Sequence, residues 1–466
     1  MKMWSGRFQE SNDPEFEHWQ RSFPYDKRLL PYEIAASKAH ARALAAARVF
    51  TAPELDDVLR GLNAILQEGI PANDLPEIED VHHYVEHRLA SLIGDIAYKL
   101  HTGRSRNEQI ATDLRLYTRD EIDELSALLA ELVAALLDQA QQAGKAAMPA
   151  YTHLQRAEPV LVAHWLLAYC EMFLRDAERL ADCRSRLNRC PLGSGAIAGA
   201  ILPLDRTMMA VELGFDAPTA NSMDATSDRD FAMEFVQALS IVAVHLSRMA
   251  EDMLLLSTQE FGFVQLPERY STGSSAMPQK KNADSMEIMR SKAARISAQA
   301  SFLLSTMKAL PMAYNKDLQE TQQPLFDAAE QSVAMLKIAA GFVSCVTFNL
   351  ERMAAAASSG CMNAFAAAGQ LVRHQGVTFR RAHEMVGAAV RRCVESGREL
   401  QDLTAEEFAS CGITADAAFY SALSVEAALA AHDVPGGTAP SHVKAAIAEM
   451  SEKLETIRKP AHVHHS

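Results

Sequence analysis

The chain has 466 residues, 48% of them apolar, and its 45 basic and 59 acidic side chains leave a formal charge of −14. That length suffices for large cores and two or three domains. The acidic balance argues against nucleic acid, whose partners carry a basic footprint, and against an anionic membrane surface.

The opening "MKMWSGRFQE" has no apolar signal core, and the seven cysteines are scattered without a CxxC pair. Reduced thiols in a soluble, cytoplasmic protein are therefore expected. Up to about residue 103 the sequence reads as short helices interrupted by Pro14, Pro24, Pro31, Pro53, Pro71 and Pro76. Within it lies "EDVHHYVE", where His83 and His87 stand one helical turn apart. No third or fourth ligand follows at metal-site spacing, so no metal is expected. "HTGRSRNEQ" (His101 to Gln109) then precedes a long helical pattern. In that pattern Ile122, Leu125, Leu128, Leu129, Leu132, Val133, Leu136 and Leu137 draw one wide apolar stripe.

"YTHLQRAEP" (Tyr151 to Pro159) opens the next pattern, which runs to Asn188, and others cover Asp228 to Gln259, Asp284 to Leu310 and Leu325 to Ala357. Alternating strand-like segments are nearly absent, so the stripes point to an all-α fold with a central long-helix bundle. Three helical domains are expected, over 1–103, 104–355 and 356–466. The longest apolar run, Ile338 to Leu350, is too short to span a bilayer. The tail "HVHHS" reads as a frayed terminus. Stripes this wide bury more than one face, which favours a homo-oligomer.

Between two of these helices stands "STGSSAMPQKKN" (Ser271 to Asn282), with two lysines and a single large apolar side chain, Met277. Like the other polar clusters, it lies just before a helix, where free N–H groups and the macrodipole attract anions. Several such ends could build an anion pocket, with Arg104, Arg106, Lys280 and Lys281 supplying charge. Each cluster alone has a plain structural reading. "HTGRSRN" is a turn with a cap, a lone His153 is more often hydrogen-bonded structure than catalyst, and Ser274 lacks a G-x-S-x-G elbow.

Together these segments carry a resemblance. "GSSAMPQKKN" (Gly273 to Asn282) resembles the fumarase/aspartase superfamily signature G-S-x-x-M-x-x-K-x-N, in the "PQKKN" form of the argininosuccinate lyases. "MWSGRF", "KLHTGRSRNEQIATDLRLY", "YTHLQRAEP", "NSMDATSDRDF", "STQEFGFVQLPERYSTGSS" and "YNKDLQE" resemble that family in order and spacing, from about residue 3 to at least 390. The resemblance implies a three-domain all-α fold and a homotetramer whose active sites each gather loops from three subunits. The implied reaction splits a small-molecule substrate, argininosuccinate, into arginine and fumarate without metal or organic cofactor.

By the same resemblance Ser274 is the proton-abstracting base on a mobile loop, and Lys280 meets the dianion that develops. His153 is the general acid, oriented by Glu287, although the acid and base assignments stay open between Ser274 and His153. Thr152, Asn107, Arg106, Ser105 and His82 match contacts to substrate carboxylates, Asn282 matches a contact to the dianion, and Ser22 and Asp26 match contacts near the entrance. Tyr314 and Gln319 match residues that hold the arginine-bearing end. Two positions depart from the family pattern: Gln322 stands where a substrate-binding lysine is common, and Ala283 where proline commonly follows the signature asparagine. Adenylosuccinate lyase, fumarase or aspartase, and the non-catalytic delta-crystallins, are the alternatives, and intact Ser274, His153, Lys280 and Glu287 weigh against the last.

Overall fold

The computed structural model describes residues 10, 12–73 and 75–458, with side chains as far as residue 455. The resembling start at residues 3–8 and the histidine-rich tail lie outside the described residues.

The Arg106–Ala143 helix sets the long axis of the molecule. Ser105 caps it, and Glu108 closes a capping box by accepting from the Ser105 N–H. Gly144, at φ 57°, ends it in a conformation that costs glycine nothing. Its 38 residues make a rod about 57 Å long. The stripe read from the sequence is buried along its whole length, from Ile122 to Leu137.

Around it pack the Val162–Leu187, Asp230–Leu256, Asp284–Met307 and Gln322–Cys345 helices. The architecture is therefore all-α around a long-helix bundle, as the periodicity implied. Two boundaries differ from the sequence reading. The pattern from Pro159 starts as a strand: Gln155–Leu161 pairs antiparallel with Ala147–Thr152, and helix begins only at Val162. The pattern from Leu325 to Ala357 is broken at Val346, which is extended. Thr347–Phe348 pairs there with Val264–Gln265, and Asn349 caps a fresh helix by accepting from the Arg352 N–H. Short ribbon segments with competing partners outweigh helical periodicity at both places.

The main apolar core runs from Phe23 to Leu454 and crosses residue 103 without a break. A smaller core between Cys361 and Leu423 stands by itself. The Pro440–Arg458 helix leaves that smaller core and returns to the bundle, where Val443, Met450 and Leu454 join the main core.

Candidate active site

The candidate residues gather at two ends of the bundle. At the first, the Arg106–Ala143 helix begins, and a cluster of charged side chains gathers. Ser22 donates from its hydroxyl to Asp26 (2.6 Å), and the Val81 N–H also donates to Asp26 (3.1 Å). Arg106 donates to Asp80 (2.9 Å) and to Glu79 (3.4 Å). Lys316 lies 3.8 Å from Glu79. Gln319 is buried and donates to the Gln20 carbonyl (2.9 Å), and Asn107 donates to the Ala196 carbonyl (3.4 Å). Tyr314 feels the charges of Arg229, Asp80, Glu79 and Arg106. Gln322 is the first residue of its helix and nearly fully buried; its Oε1 has no partner among the described residues.

Burial shapes the ionisation here. Asp26 is pushed up to about 7 by burial and by Asp80. Burial also opposes the charge on Asp80, but Arg106 and His82 outweigh it and hold that carboxyl well below its usual range. Burial lowers His82, yet Glu33, Asp113 and Asp80 overcome it and leave the imidazole well above its ordinary value. His82 therefore sits among carboxylates: its Nε2 lies 3.0 Å from Asp113.

At the opposite end lie the remaining candidates. Thr152 and His153 occupy the tip of the Ala147–Leu161 hairpin, where Thr152 pairs with Gln155. His153 (φ 55°) and Leu154 (φ 57°) form its two-residue turn, both left-handed. Such a turn normally uses Asn-Gly, and side chains larger than glycine there cost roughly 1 kcal/mol or more each. The strain lifts an exposed imidazole off the end of the bundle.

The Ser271–Asn282 stretch is a second projecting hairpin. Thr272–Gly273 pairs with Lys281–Asn282, and the base is tied by Thr272 to Asp284, by Ser285 to the Tyr270 carbonyl (2.7 Å) and by Lys281 to the Leu266 carbonyl (2.6 Å). Asn282 points back to Thr272 (3.5 Å). Beyond this base the tip is mostly exposed, Lys280 included. The Ser274 hydroxyl accepts from the N–H groups of Ala276 (3.3 Å) and Met277 (3.1 Å). Glu287 stands exposed in the first turn of the following helix.

The chain thus brings Ser22, Asp26, His82, Ser105, Arg106, Asn107, Tyr314, Gln319 and Gln322 to one end, and Thr152, His153, Ser274, Lys280, Asn282 and Glu287 to the other. Among the described residues, no hydrogen bond or ion pair joins His153, Ser274, Lys280 or Glu287 to the Arg106 cluster, or His153 to Glu287. Sequence reading missed Glu33, Asp113 and the fully buried Arg229. A signal existed for the first two. Glu33, Ser37 and His40 recur at steps of four and three, as Gln109 and Asp113 do at a step of four, which puts polar groups on buried helix faces.

The comparisons with known proteins decide the family. A family model described as lyase matches residues 6–298, and one described as argininosuccinate lyase C-terminal matches residues 361–430. Argininosuccinate lyase of Koribacter versatilis (strain Ellin345) is 61% identical over 463 residues, covering 99% of this chain and all of that protein. The chain belongs to the argininosuccinate lyase family. Argininosuccinate lyase of Acidobacterium capsulatum is 55% identical over 461 residues, or 97% of this chain and 95% of the relative. Among solved structures, EDDS lyase in complex with formate superposes with a TM-score of 0.84 at 26% identity, over 96% of this chain and 91% of that one. Recombinant class II fumarase from Schistosoma mansoni shares the fold at 16% identity, with a TM-score of 0.75 over 88% of this chain and 94% of its own. The argininosuccinate lyases are carbon–nitrogen lyases, and this chain is one of them.

Proposed function

We propose that this chain cleaves argininosuccinate to arginine and fumarate, in the cytoplasm and in the service of arginine biosynthesis. The reaction is a β-elimination. A base removes a proton from a carbon beside a carboxylate, negative charge accumulates on that carboxylate, and the guanidino nitrogen leaves with a proton from a general acid.

The observation that carries the reading is the setting of Ser274. A serine hydroxyl is a weak base unless its alkoxide is stabilised, and two backbone N–H groups already point at this oxygen. Few apolar contacts hold the loop tip, so it can move over a substrate. Lys280, on the same tip, supplies a cation for the developing dianion, and Asn282 a neutral donor. His153 acts as general acid, with Glu287 orienting it. Ser105, Arg106, Asn107 and Thr152 bind substrate carboxylates together with His82, Gln322 offers a neutral donor to a substrate carboxylate, Tyr314 and Gln319 hold the arginine-bearing end, and the buried Ser22–Asp26 pair stands behind the entrance.

These groups occupy opposite ends of a rod about 57 Å long, so one chain cannot bring them to one substrate. A homotetramer in which neighbouring bundles run in opposite directions would bring them together. Exposed apolar side chains on three bundle helices support such packing: Ile241 and Val244 on the first, Ile288, Phe302 and Leu304 on the second, Ile338 on the third. The three-domain division at about residues 103 and 355 belongs to the same reading.

The test is direct. Purified protein is offered argininosuccinate, adenylosuccinate and aspartate in turn, and fumarate is followed by its ultraviolet absorbance. Release from argininosuccinate alone is expected. Release from one of the others with none from argininosuccinate would transfer the protein to a different fumarate-releasing activity. No release from any would favour a non-catalytic structural role.

A further inference from the structure

Beneath Arg106 the structure holds a buried chain of charges that runs from His82 to Asp113 and Glu33, two carboxylates assigned no substrate contact. His82, on the Val81–Ile93 helix, has carboxylates at both ring nitrogens. Its Nε2 faces Asp113 at 3.0 Å and Glu33 at 3.6 Å, and its Nδ1 faces Asp80 at 3.9 Å. A neutral imidazole has one N–H and could serve only one side. Asp113 is the hydrogen-bonded carboxylate, Asp80 stands at ion-pair range on the other side, and negative charge on both sides of the ring favours the imidazolium. Asp80 in turn accepts from Arg106 at 2.9 Å, so one carboxylate is shared between His82 and the guanidinium assigned to a substrate carboxylate.

Each partner is itself fixed. Glu33 accepts from Ser37 (2.6 Å) and from Gln109 (3.2 and 3.3 Å), with Arg104 at 3.8 Å. Asp113 is fully buried, and its Oδ1 has no partner among the described residues. The charged or titratable groups acting on His82 are Glu33, Asp113, Asp80, Asp26 and His101, while Arg104 acts on Asp113 and Arg106 on Asp80. Donor atoms of Glu33, His82 and Asp113 lie within 4.8 Å of one another, which is close enough for a metal ion. Arg104 and the imidazolium supply positive charge to that space, and Gln109 a neutral donor.

We infer that Asp113 and Glu33 are positioning residues for the substrate anchor: they keep His82 charged, His82 shares Asp80, and Arg106 is thereby left able to bind a substrate carboxylate. Without the charge on His82, Asp80 would pair with Arg106 alone and compete with substrate. This inference rests on the functional reading above. Its effect belongs to binding, because Asp113 touches no reacting atom.

The test is the Asp113→Asn variant, which keeps the shape and removes a carboxyl that burial and Glu33 push up to about 7 while His82 draws it down. The Michaelis constant for argininosuccinate should rise roughly tenfold near pH 7.5, while kcat stays within about threefold. The alkaline fall of 1/KM should also move to lower pH, since His82 would lose its proton earlier. An active wild-type enzyme whose Asp113→Asn variant loses kcat at constant KM, or keeps its pH profile, would overturn the inference. So would activity lost to a chelator and restored by a divalent cation, which would make the trio a metal site. Should Asp113→Asn fail to fold, Glu33→Gln carries the same test through the second carboxylate. Absence of wild-type turnover would strike the functional reading instead, so the two failures are distinguishable.

Discussion

Lys280 stands exposed near the foot of the loop tip, with its backbone N–H donating to the Met277 carbonyl and no ion-pair partner among the described residues. A cation held ready in this way serves the charge that grows during reaction better than charge already present in the substrate. Lys280→Ala should therefore lower kcat by on the order of 100- to 1000-fold with little change in KM. A raised KM with kcat unchanged in steady-state kinetics would reduce Lys280 to a substrate anchor. Gln322 poses the reverse question. A neutral amide is worth roughly 1 kcal/mol as a donor, against about 1.5–3 for a charged one. Gln322→Lys should lower KM by several-fold and leave kcat within a few-fold. The site is almost fully buried, so the lysine would be costly to desolvate when no ligand is bound. The variant should accordingly melt lower than wild type alone and recover when argininosuccinate is added. A KM that does not fall would mean that Gln322 lies outside the substrate's reach.

At the scale of the element, the N-terminus of the Arg106–Ala143 helix joins two segments through one carboxylate. Glu108 is completely buried and accepts from Ser105 (3.3 Å) and from the Gly195 N–H (2.8 Å), which pins the glycine-rich loop at 193–200 to the first turn. Burial pushes it up to about 7 despite those bonds. A folded-state value above the unfolded one means that the native protein holds the proton longer. Its contribution to stability is full below about pH 4.5 and is lost as pH rises towards 7. Glu108→Gln cannot titrate, so the fall in melting temperature between pH 5 and 7.5 should be smaller than in wild type, by an amount equivalent to roughly 2–3 kcal/mol. Parallel melting curves at both pH values would show that Glu108 is already ionised in the native state.

Such features mark where sequence reading stops. The long helices were legible because an apolar stripe at steps of three and four has one easy solution, and the Ser274 loop stood out because its polarity interrupts two stripes. The Ala147–Leu161 hairpin was hidden, since its strands hold Pro149 and Pro159 facing each other and its turn uses His-Leu in place of glycine. The break at Val346 depends on a partner strand more than 80 residues away, at Val264–Gln265. Glu33 and Asp113 recur with Ser37 and Gln109 on one face of each helix, but the spacing alone does not say what covers that face. Only three helices meeting around His82 turn them into an interior.

At the scale of the molecule, the separation between the two candidate clusters decides what an active unit must be. The Arg106 cluster lies where the longest helix starts, and the His153 and Ser274 hairpins lie where it ends. That rod cannot be folded back: it is continuous from Arg106 to Ala143, and Gln139 near its far end is anchored to the carbonyls of Val343 and Val346. Any closed loop movement covers far less than its length of about 57 Å. On the proposed function, neighbouring chains complete each site, and a closed symmetric assembly repeats the same completion at every site. The consequence is measurable. Ser274→Ala and His153→Asn should each be inactive alone. If a site takes these two residues from different subunits, random exchange of subunits gives intact pairs at up to about one quarter of the sites. Mixing the inactive variants under conditions of subunit exchange should then restore activity towards that fraction. Ser274→Ala mixed with Lys280→Ala should restore none, because both residues ride on one loop and always arrive together. A fully active monomer by light scattering would overturn the shared site, because one chain would then bring the Arg106 cluster and Ser274 to the same substrate; no recovery in the first mixture, after exchange has been demonstrated by mass, would show that Ser274 and His153 reach each site from the same chain.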